Sequence, residues 1–167
     1  MLNLCHEEVV DSENMKFVGV YSKNREECMM TDIGCWYISA TIVTLYDSLG
    51  QNSIEYVINQ TSLRTIFMTK EGIDTIFELK QNNLIPSLQN IVLMDNSASQ
   101  ELKQQAEQMN MLIFRFEEVV WKGKSEEAEE IEFTFPNPES AACICYTSGS
   151  LGQPKVLSFF PYIWSFI

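Results

Sequence analysis

Histidine occurs once in these 167 residues, at His6, with no ligand cluster around it. A zinc site of the usual Cys/His kind is therefore not expected, and no metal ligands are assigned. The five cysteines, Cys5, Cys28, Cys35, Cys143 and Cys145, are odd in number and contain no C-x-x-C pair. Cys143 and Cys145 stand two apart in an apolar run that reads as a strand, so they share a face and lie too far apart to bridge easily. Free thiols acting as small core hydrophobes in a reducing compartment are the expectation. Positive charge is scarce as well. Lys and Arg total 11 against 23 Asp and Glu, a formal net charge of −12, and no basic cluster is present. Nucleic-acid binding, which needs a cationic surplus to neutralise phosphates, is disfavoured. No apolar run reaches the roughly 20 residues of a membrane-spanning helix. The C-terminal VLSFFPYIWSFI is about a dozen residues and is interrupted by Pro161. It reads as a buried element, an interfacial segment or sequence foreign to the fold. The start, MLNLCHEEVVDSEN, lacks the basic region and apolar core of a secretory signal.

What is present suits one globular domain, with 46% hydrophobic and 20% charged residues. Continuously apolar runs predict buried strands at 17–22 (FVGVYS), 41–46 (TIVTLY), 64–69 (RTIFMT), 90–95 (NIVLMD) and 111–116 (MLIFRF). Helical patterns lie between them. Asn24 with Glu27 three residues on reads as a capping box for a helix that is apolar on most sides, the pattern of a buried helix. Ile54, Val57 and Ile58 predict a second helix. Ile73, Ile76, Phe77 and Lys80 predict a third that closes before Pro86. Ser99 predicts the cap of a polar helix with the inner stripe Leu102, Ala106 and Met109. Strands and helices in alternation imply an α/β fold: a doubly wound, mostly parallel sheet with helices on both faces. Such a sheet takes ligands beyond the C-terminal ends of its strands.

After 122 the composition turns acidic, with Glu126, Glu127, Glu129, Glu130 and Glu132 reading as a solvated surface excursion. FPNPES (135–140) is a turn. AACICYTS then reads as a buried strand delivering TSGSLGQPK, residues 147–155. Gly149 and Gly152 permit close backbone approach to an anion, and Thr147, Ser148 and Ser150 bring hydroxyl donors. Lys155 brings a mobile positive charge, and successive amides form an anion nest. The order is not that of the P-loop, where the lysine opens a helix. Pro154 biases Gln153 toward extended geometry, so no helix begins at the second glycine in that way. Taken alone, the stretch is a structural Gly/Ser turn or a phosphate site.

YTSGSLGQPK resembles the phosphate loop of the acyl-adenylate-forming superfamily, roughly [FY]-T-S-G-[ST]-T-G-x-P-K-G. YSKNREE resembles the same family's Y-S-x-N-R-x-E-W. LYDSLGQNSIEYVINQTSLRTIF resembles L-Y-D-T-L-G-x-x-A-I-x-Y-I-I-N of long-chain acyl-CoA synthetases. The resemblance runs from about Phe17 to Lys155. It implies part of the large N-terminal domain of an enzyme that joins a long-chain fatty acid to ATP, releases pyrophosphate, and passes the acyl group to coenzyme A. The cofactors so implied are ATP with Mg²⁺ and coenzyme A. By matching positions, Thr147, Ser148, Gly149, Ser150, Gly152 and Lys155 would hold the nucleotide phosphates. No catalytic residue is assigned. Asn24, Arg25 and Glu27 are expected to be structural.

Three positions depart from the pattern: Leu151 for Thr, Cys28 for Trp and Val156 for Gly. Residues 1–155 are therefore expected to be a partial AMP-binding domain, and 156–167 an apolar tail unlike the family. A frame change, a retained intron or an early stop near Lys155 would account for that tail. The expectation is a ligase fragment inactive by itself. The competing expectation is a non-catalytic interaction or lipid-surface protein derived from such a synthetase, associated peripherally with a membrane. An intracellular place follows from the resemblance, in the cytoplasm or on the cytosolic face of the endoplasmic reticulum or another organelle. A phospho-receiver reading of Asp95 fails because FVGVYSKN carries no acidic residue after the first strand. Asp95 is expected to be a turn residue at a strand end.

Overall fold

Short apolar stretches such as Thr65–Met68, buried at every position, can satisfy their backbone only within a sheet that is covered on both sides. The computed structural model describes residues 15–46, 49–124, 133–134, 136, 140–147 and 155–159. Along the chain these form β1 (Lys16–Tyr21), α1 (Glu26–Trp36), β2 (Ala40–Leu45), α2 (Gln51–Gln60), β3 (Thr65–Met68) and α3 (Ile73–Gln81). They continue with β4 (Asn90–Leu93), α4 (Gln100–Gln108), β5 (Leu112–Arg115), α5 (Phe116–Lys124), β6 (Cys143–Thr147) and β7 (Lys155–Phe159). The sheet order is β5-β4-β3-β1-β2-β6-β7. Strands β1 to β6 pair in parallel, and β7 returns antiparallel on β6.

Chirality then sets the layers. Crossovers between parallel strands are right-handed, so those stepping toward β6 lie on one face and those stepping toward β5 on the other. Helices α2, α3 and α4 step toward β5. Their Ile54, Val57, Ile58, Ile76, Leu79 and Ala106 pack with Val43, Ile66, Ile91 and Ile144 of the strands. Helices α1 and α5 step toward β6. Their Cys35 and Phe116 pack with Val18, Val20, Ile42, Phe67 and Val92. The doubly wound α/β arrangement is thus the one expected from the strand pattern.

The local chemistry differs from the sequence reading in several places. Arg25, extended at φ −157° and ψ 165°, is the N-cap of α1 and makes no side-chain cap bond. Asn24 therefore does not open a capping box. Glu27 instead turns to the Arg25 guanidinium at 2.6 and 2.9 Å. Nor is α1 enclosed. Only Thr31 and Cys35 are buried, while Met29 is 68% and Met30 52% exposed. Its apolar surplus faces away from the sheet, where nothing among the described residues covers it.

Ser99 does cap α4, accepting from the Leu102 amide at 3.2 Å. Helix α5 was not read from the sequence. Its N-terminus lacks a Ser, Thr, Asp or Asn cap, but Glu118 reaches back to accept from the Arg115 amide at 2.9 Å, as an N3 glutamate does. Phe116 anchors the helix edge-on to Phe67, with ring centroids 6.2 Å apart. Helices α2, α3 and α4 end in Schellman turns. The amides of Leu63, Leu84 and Met111 bond back to Ile58, Leu79 and Ala106. Ser62, Asn83 and Asn110 sit between at φ 47°, 55° and 56°, the position where glycine is usual.

Candidate phosphate-binding site

In an open parallel sheet a crevice forms where neighbouring strands send their connections in opposite directions. At two places, β1 beside β3 and β2 beside β6, those connections lead away from each other. At the first, the polar groups satisfy one another. Arg25 Nη2 donates to the Met94 carbonyl at 3.2 Å as well as to Glu27. Asp95 accepts from the Lys70 amide at 2.9 Å, from the Ser97 hydroxyl at 2.7 Å and from the Ser97 amide at 3.3 Å. Burial opposes ionisation of Asp95, yet these bonds from Ser97 and Lys70 outweigh it and hold the carboxyl below its ordinary range. This is a latch across the ends of β1, β3 and β4. The turn role expected for Asp95 and the structural role expected for Arg25 and Glu27 both fit it.

At the second crevice, β6 leads into the TSGSLGQPK stretch. Thr147 and Lys155 are register partners across β6 and β7, so the described ends of the stretch 147–155 meet at the C-terminal end of β6. The chain leaves that loop as a strand, in line with Pro154 barring the helix that a P-loop would start. Ser148, Gly149, Ser150 and Gly152 lie outside the described residues, as does the Thr147 side chain. Lys155 is exposed at the start of β7. Val156 to Phe159, the start of the apolar tail, continue β7 in register with Tyr146 to Cys143.

Strand β6 is firmly tied down. The Thr41 hydroxyl donates to the Ala141 carbonyl at 2.7 Å, and the Tyr146 hydroxyl donates to Gln60 Oε1 on α2 at 2.8 Å. Burial, with a contribution from Tyr56, pushes the Tyr146 phenol up to about 12. On the opposite face of β6, Cys143 and Cys145 bring their sulfurs to 3.6 Å of each other. The Thr44 hydroxyl donates to Cys145 Sγ at 3.3 Å. Hydrogen bonds from Cys143, Thr44 and Tyr46 overcome desolvation and draw the Cys145 thiol down to about 5, while Cys143 keeps its proton and is raised. The i, i+2 spacing on a strand placed both thiols on one face, as expected; what it did not show is that the sulfurs approach to within 3.6 Å.

With strands about 4.8 Å apart, the ends of β4 and β6, four places apart in the order, are roughly 19 Å from each other. The Asp95 latch is therefore a separate feature from the loop. Among the described residues no group of three His, Cys, Asp or Glu side chains is placed to hold a metal ion.

A parallel sheet whose β6 runs into a Thr/Ser/Gly sequence ending in Pro-Lys is the framework of an adenylate-forming domain. The chain belongs to the AMP-binding enzyme family, which matches residues 11–157. Among curated proteins it is 34% identical to human long-chain-fatty-acid–CoA ligase 1 over 141 residues, covering 84% of this chain and 20% of the relative. It is 32% identical to the peroxisomal long chain acyl-CoA synthetase 7 of Arabidopsis thaliana over 138 residues, covering 83% of this chain and 19% of that one. The chain thus spans about a fifth of the length of these relatives. Among solved structures it superposes on the adenylation domain of a carboxylate reductase from Mycobacterium chelonae with a TM-score of 0.73 at 16% identity, covering 90% of this chain and 24% of that one. The A domain of carboxylic acid reductase from Segniliparus rugosus, solved with AMP and a co-purified carboxylic acid, gives 0.73 at 15% identity over 95% and 26%. At that identity the structural likeness bears on the fold alone.

Proposed function

We propose that this chain carries the phosphate-gripping β6–β7 hairpin of a ligase that activates long-chain fatty acids through an acyl-adenylate. The observation that supports this reading is the YTSGSLGQPK sequence on a hairpin at the β2/β6 switch point, in a chain of the AMP-binding family. In that role the amides and hydroxyls of Thr147, Ser148, Gly149 and Ser150 would wrap the β- and γ-phosphates, with Gly152 giving the backbone room. Lys155, across the mouth of the hairpin from Thr147, would neutralise charge as pyrophosphate leaves. The anchoring of β6 through Thr41 and Tyr146 fixes the strand from which the loop departs. Mg²⁺ would arrive with the nucleotide, held largely by phosphate oxygens and water. Coenzyme A and the fatty acid belong to the same reading.

The 167 residues alone are proposed to bind ATP only weakly and not to turn over, since they span a fifth of the relatives' length. Titration calorimetry of the purified chain with Mg-ATP, paired with an assay for acyl-CoA, tests both parts. Dissociation near the millimolar range, weakened further by Lys155→Ala, is expected, with no acyl-CoA formed. Micromolar affinity lost on Lys155→Ala, or acyl-CoA production by the isolated chain, would overturn the weak-binding reading. Binding indifferent to Lys155→Ala would remove the hairpin from the phosphate role.

A further inference from the structure

We propose that Cys143 and Cys145 form a chelating dithiol, a site for a thiophilic centre that is satisfied by two protein sulfurs, such as trivalent arsenic. The inference does not depend on the nucleotide reading. It rests first on distance. The two sulfurs lie 3.6 Å apart on one face of β6, and both residues are partly exposed. Two metal–sulfur bonds of about 2.3 Å meeting near the tetrahedral angle span roughly 3.7 Å, so one bridging atom fits with almost no movement.

A direct disulfide fits less well. It needs the sulfurs at about 2.05 Å and prefers Cα atoms closer than about 6.8 Å. Residues two apart in a strand are separated by about 6.6 Å, at the far end of that range and beyond the roughly 5.5–6 Å at which most disulfides sit. Closing the bond would also compress a strand paired on both edges, with β2 at Cys143 and Cys145 and with β7 along its length. A bridging atom lets the backbone stay extended.

The surroundings select the kind of centre. Among the described residues no third Cys, His, Asp or Glu joins the pair to complete a metal site. A zinc ion, which takes four ligands, would find only two here. An organoarsenic(III) centre needs only two sulfurs beside its own carbon. The Thr44 hydroxyl, 3.3 Å from Cys145 Sγ, holds that sulfur in place from the neighbouring strand. The remaining described cysteines do not offer such a pair. Cys35 is buried on α1, and Cys28 contacts the Ser22 hydroxyl at 3.1 Å and the Met94 sulfur at 3.9 Å.

Phenylarsine oxide is the probe. Two thiols and one As=O unit give two As–S bonds and one water, and arsenic stays trivalent, so neither oxidant nor reductant is needed. Intact-mass analysis of the full chain should show one phenylarsenic group replacing two protons. Peptide mapping should place it on the segment holding Cys143 and Cys145. The adduct should resist a monothiol, reverse with a small dithiol, and fall at least tenfold in occupancy in Cys143→Ser and in Cys145→Ser. Cys28→Ser should retain it. The mapping on unaltered protein stands even if a serine variant folds poorly. No stoichiometric adduct, an adduct mapping to Cys5, Cys28 or Cys35, or full occupancy in both β6 variants would overturn the assignment. So would Zn²⁺ competing the arsenical away at equal concentration.

Discussion

Replacing Gly72 by alanine puts a single methyl group where β3 turns into α3. The backbone raises little objection, because φ −88° and ψ −1° at Gly72 are the bridge-region values that non-glycine residues adopt in type I turns. By the unfolded-state argument the change should therefore stabilise by about 0.4–1 kcal/mol. Packing opposes it. The new Cβ would lie 2.3 Å from Tyr21 Cε1, 2.9 Å from Tyr21 Cδ1 and 3.0 Å from Met68 Cε. Ordinary carbon contacts begin near 3.5 Å, so the ring must move by more than about 1 Å. Tyr21 is only 7% exposed and packs in the larger core cluster, which leaves it little freedom. Overpacking of this sort costs about 1–3 kcal/mol. The packing cost is expected to win, for a net loss of roughly 1–2 kcal/mol, or about 3–8 °C in Tm for a chain this long. Urea denaturation of Gly72→Ala in two backgrounds isolates the cause. Valine at position 21 lacks the ring atoms that clash, so in Tyr21→Val the alanine should cost nothing or stabilise slightly. Equal destabilisation in both backgrounds, or a Gly72→Ala protein more stable than the parent, would refute the reasoning.

Two further outcomes follow from geometry already given. Asn83→Gly should stabilise by up to about 1 kcal/mol, because glycine occupies φ 55° without the Cβ penalty and keeps the Leu84 amide bond to Leu79; a loss measured by denaturant melts would show the asparagine side chain to matter more than its backbone. Cys145 is an acid whose folded-state value is drawn down to about 5, so its thiolate should persist well below the pH at which an ordinary thiol is protonated. Its alkylation by iodoacetamide, followed by peptide mass spectrometry, should be nearly flat from pH 8 to 6 and fall as pH drops through about 5. A tenfold fall per pH unit already between 8 and 7 would contradict that.

The strands were legible because parallel strands are buried on both faces and so read as unbroken apolar runs; β1 to β5 lie within a residue or two of where those runs predict. The capping of α4 was legible for an equally local reason, the Ser99 hydroxyl reaching an amide three residues on. Other features were settled by partners distant in sequence. Glu27 has a guanidinium two residues away, and that guanidinium also answers the carbonyl of Met94, so a capping-box pattern became an ion pair. The apolar residues of α1 suggested enclosure, but enclosure depends on what lies over the helix, which a helical period does not contain. Helix ends at Ser62, Asn83 and Asn110 escaped notice because the residues that stop them are not glycine. At the candidate site the motif marked the stretch 147–155, and Pro154 argued against a helix starting at Gly152; the strand that follows was not foreseen. The pairing of Val156 to Phe159 along β6, and of Cys143 with Cys145, needed the sheet.

The bond from Thr41 to the Ala141 carbonyl joins residues 100 apart in sequence. The five strands and five helices of residues 16–124 precede β6 in the chain, and their strands are contiguous in the sheet. On a ribosome the chain emerges N-terminus first, at about 5–20 residues per second, so this completed block precedes β6 by about 1–4 s. Closing a loop of about 100 residues rather than 25 costs only about 1.2 kcal/mol more, since the penalty grows with the logarithm of length. The edge of β2 is thus a docking strip that waits, unpaired, for the hairpin. Slowing synthesis near residue 140 would lengthen that wait and expose the strip to other strands. The hairpin's place in the sheet is thus the last to be supplied in the order of synthesis.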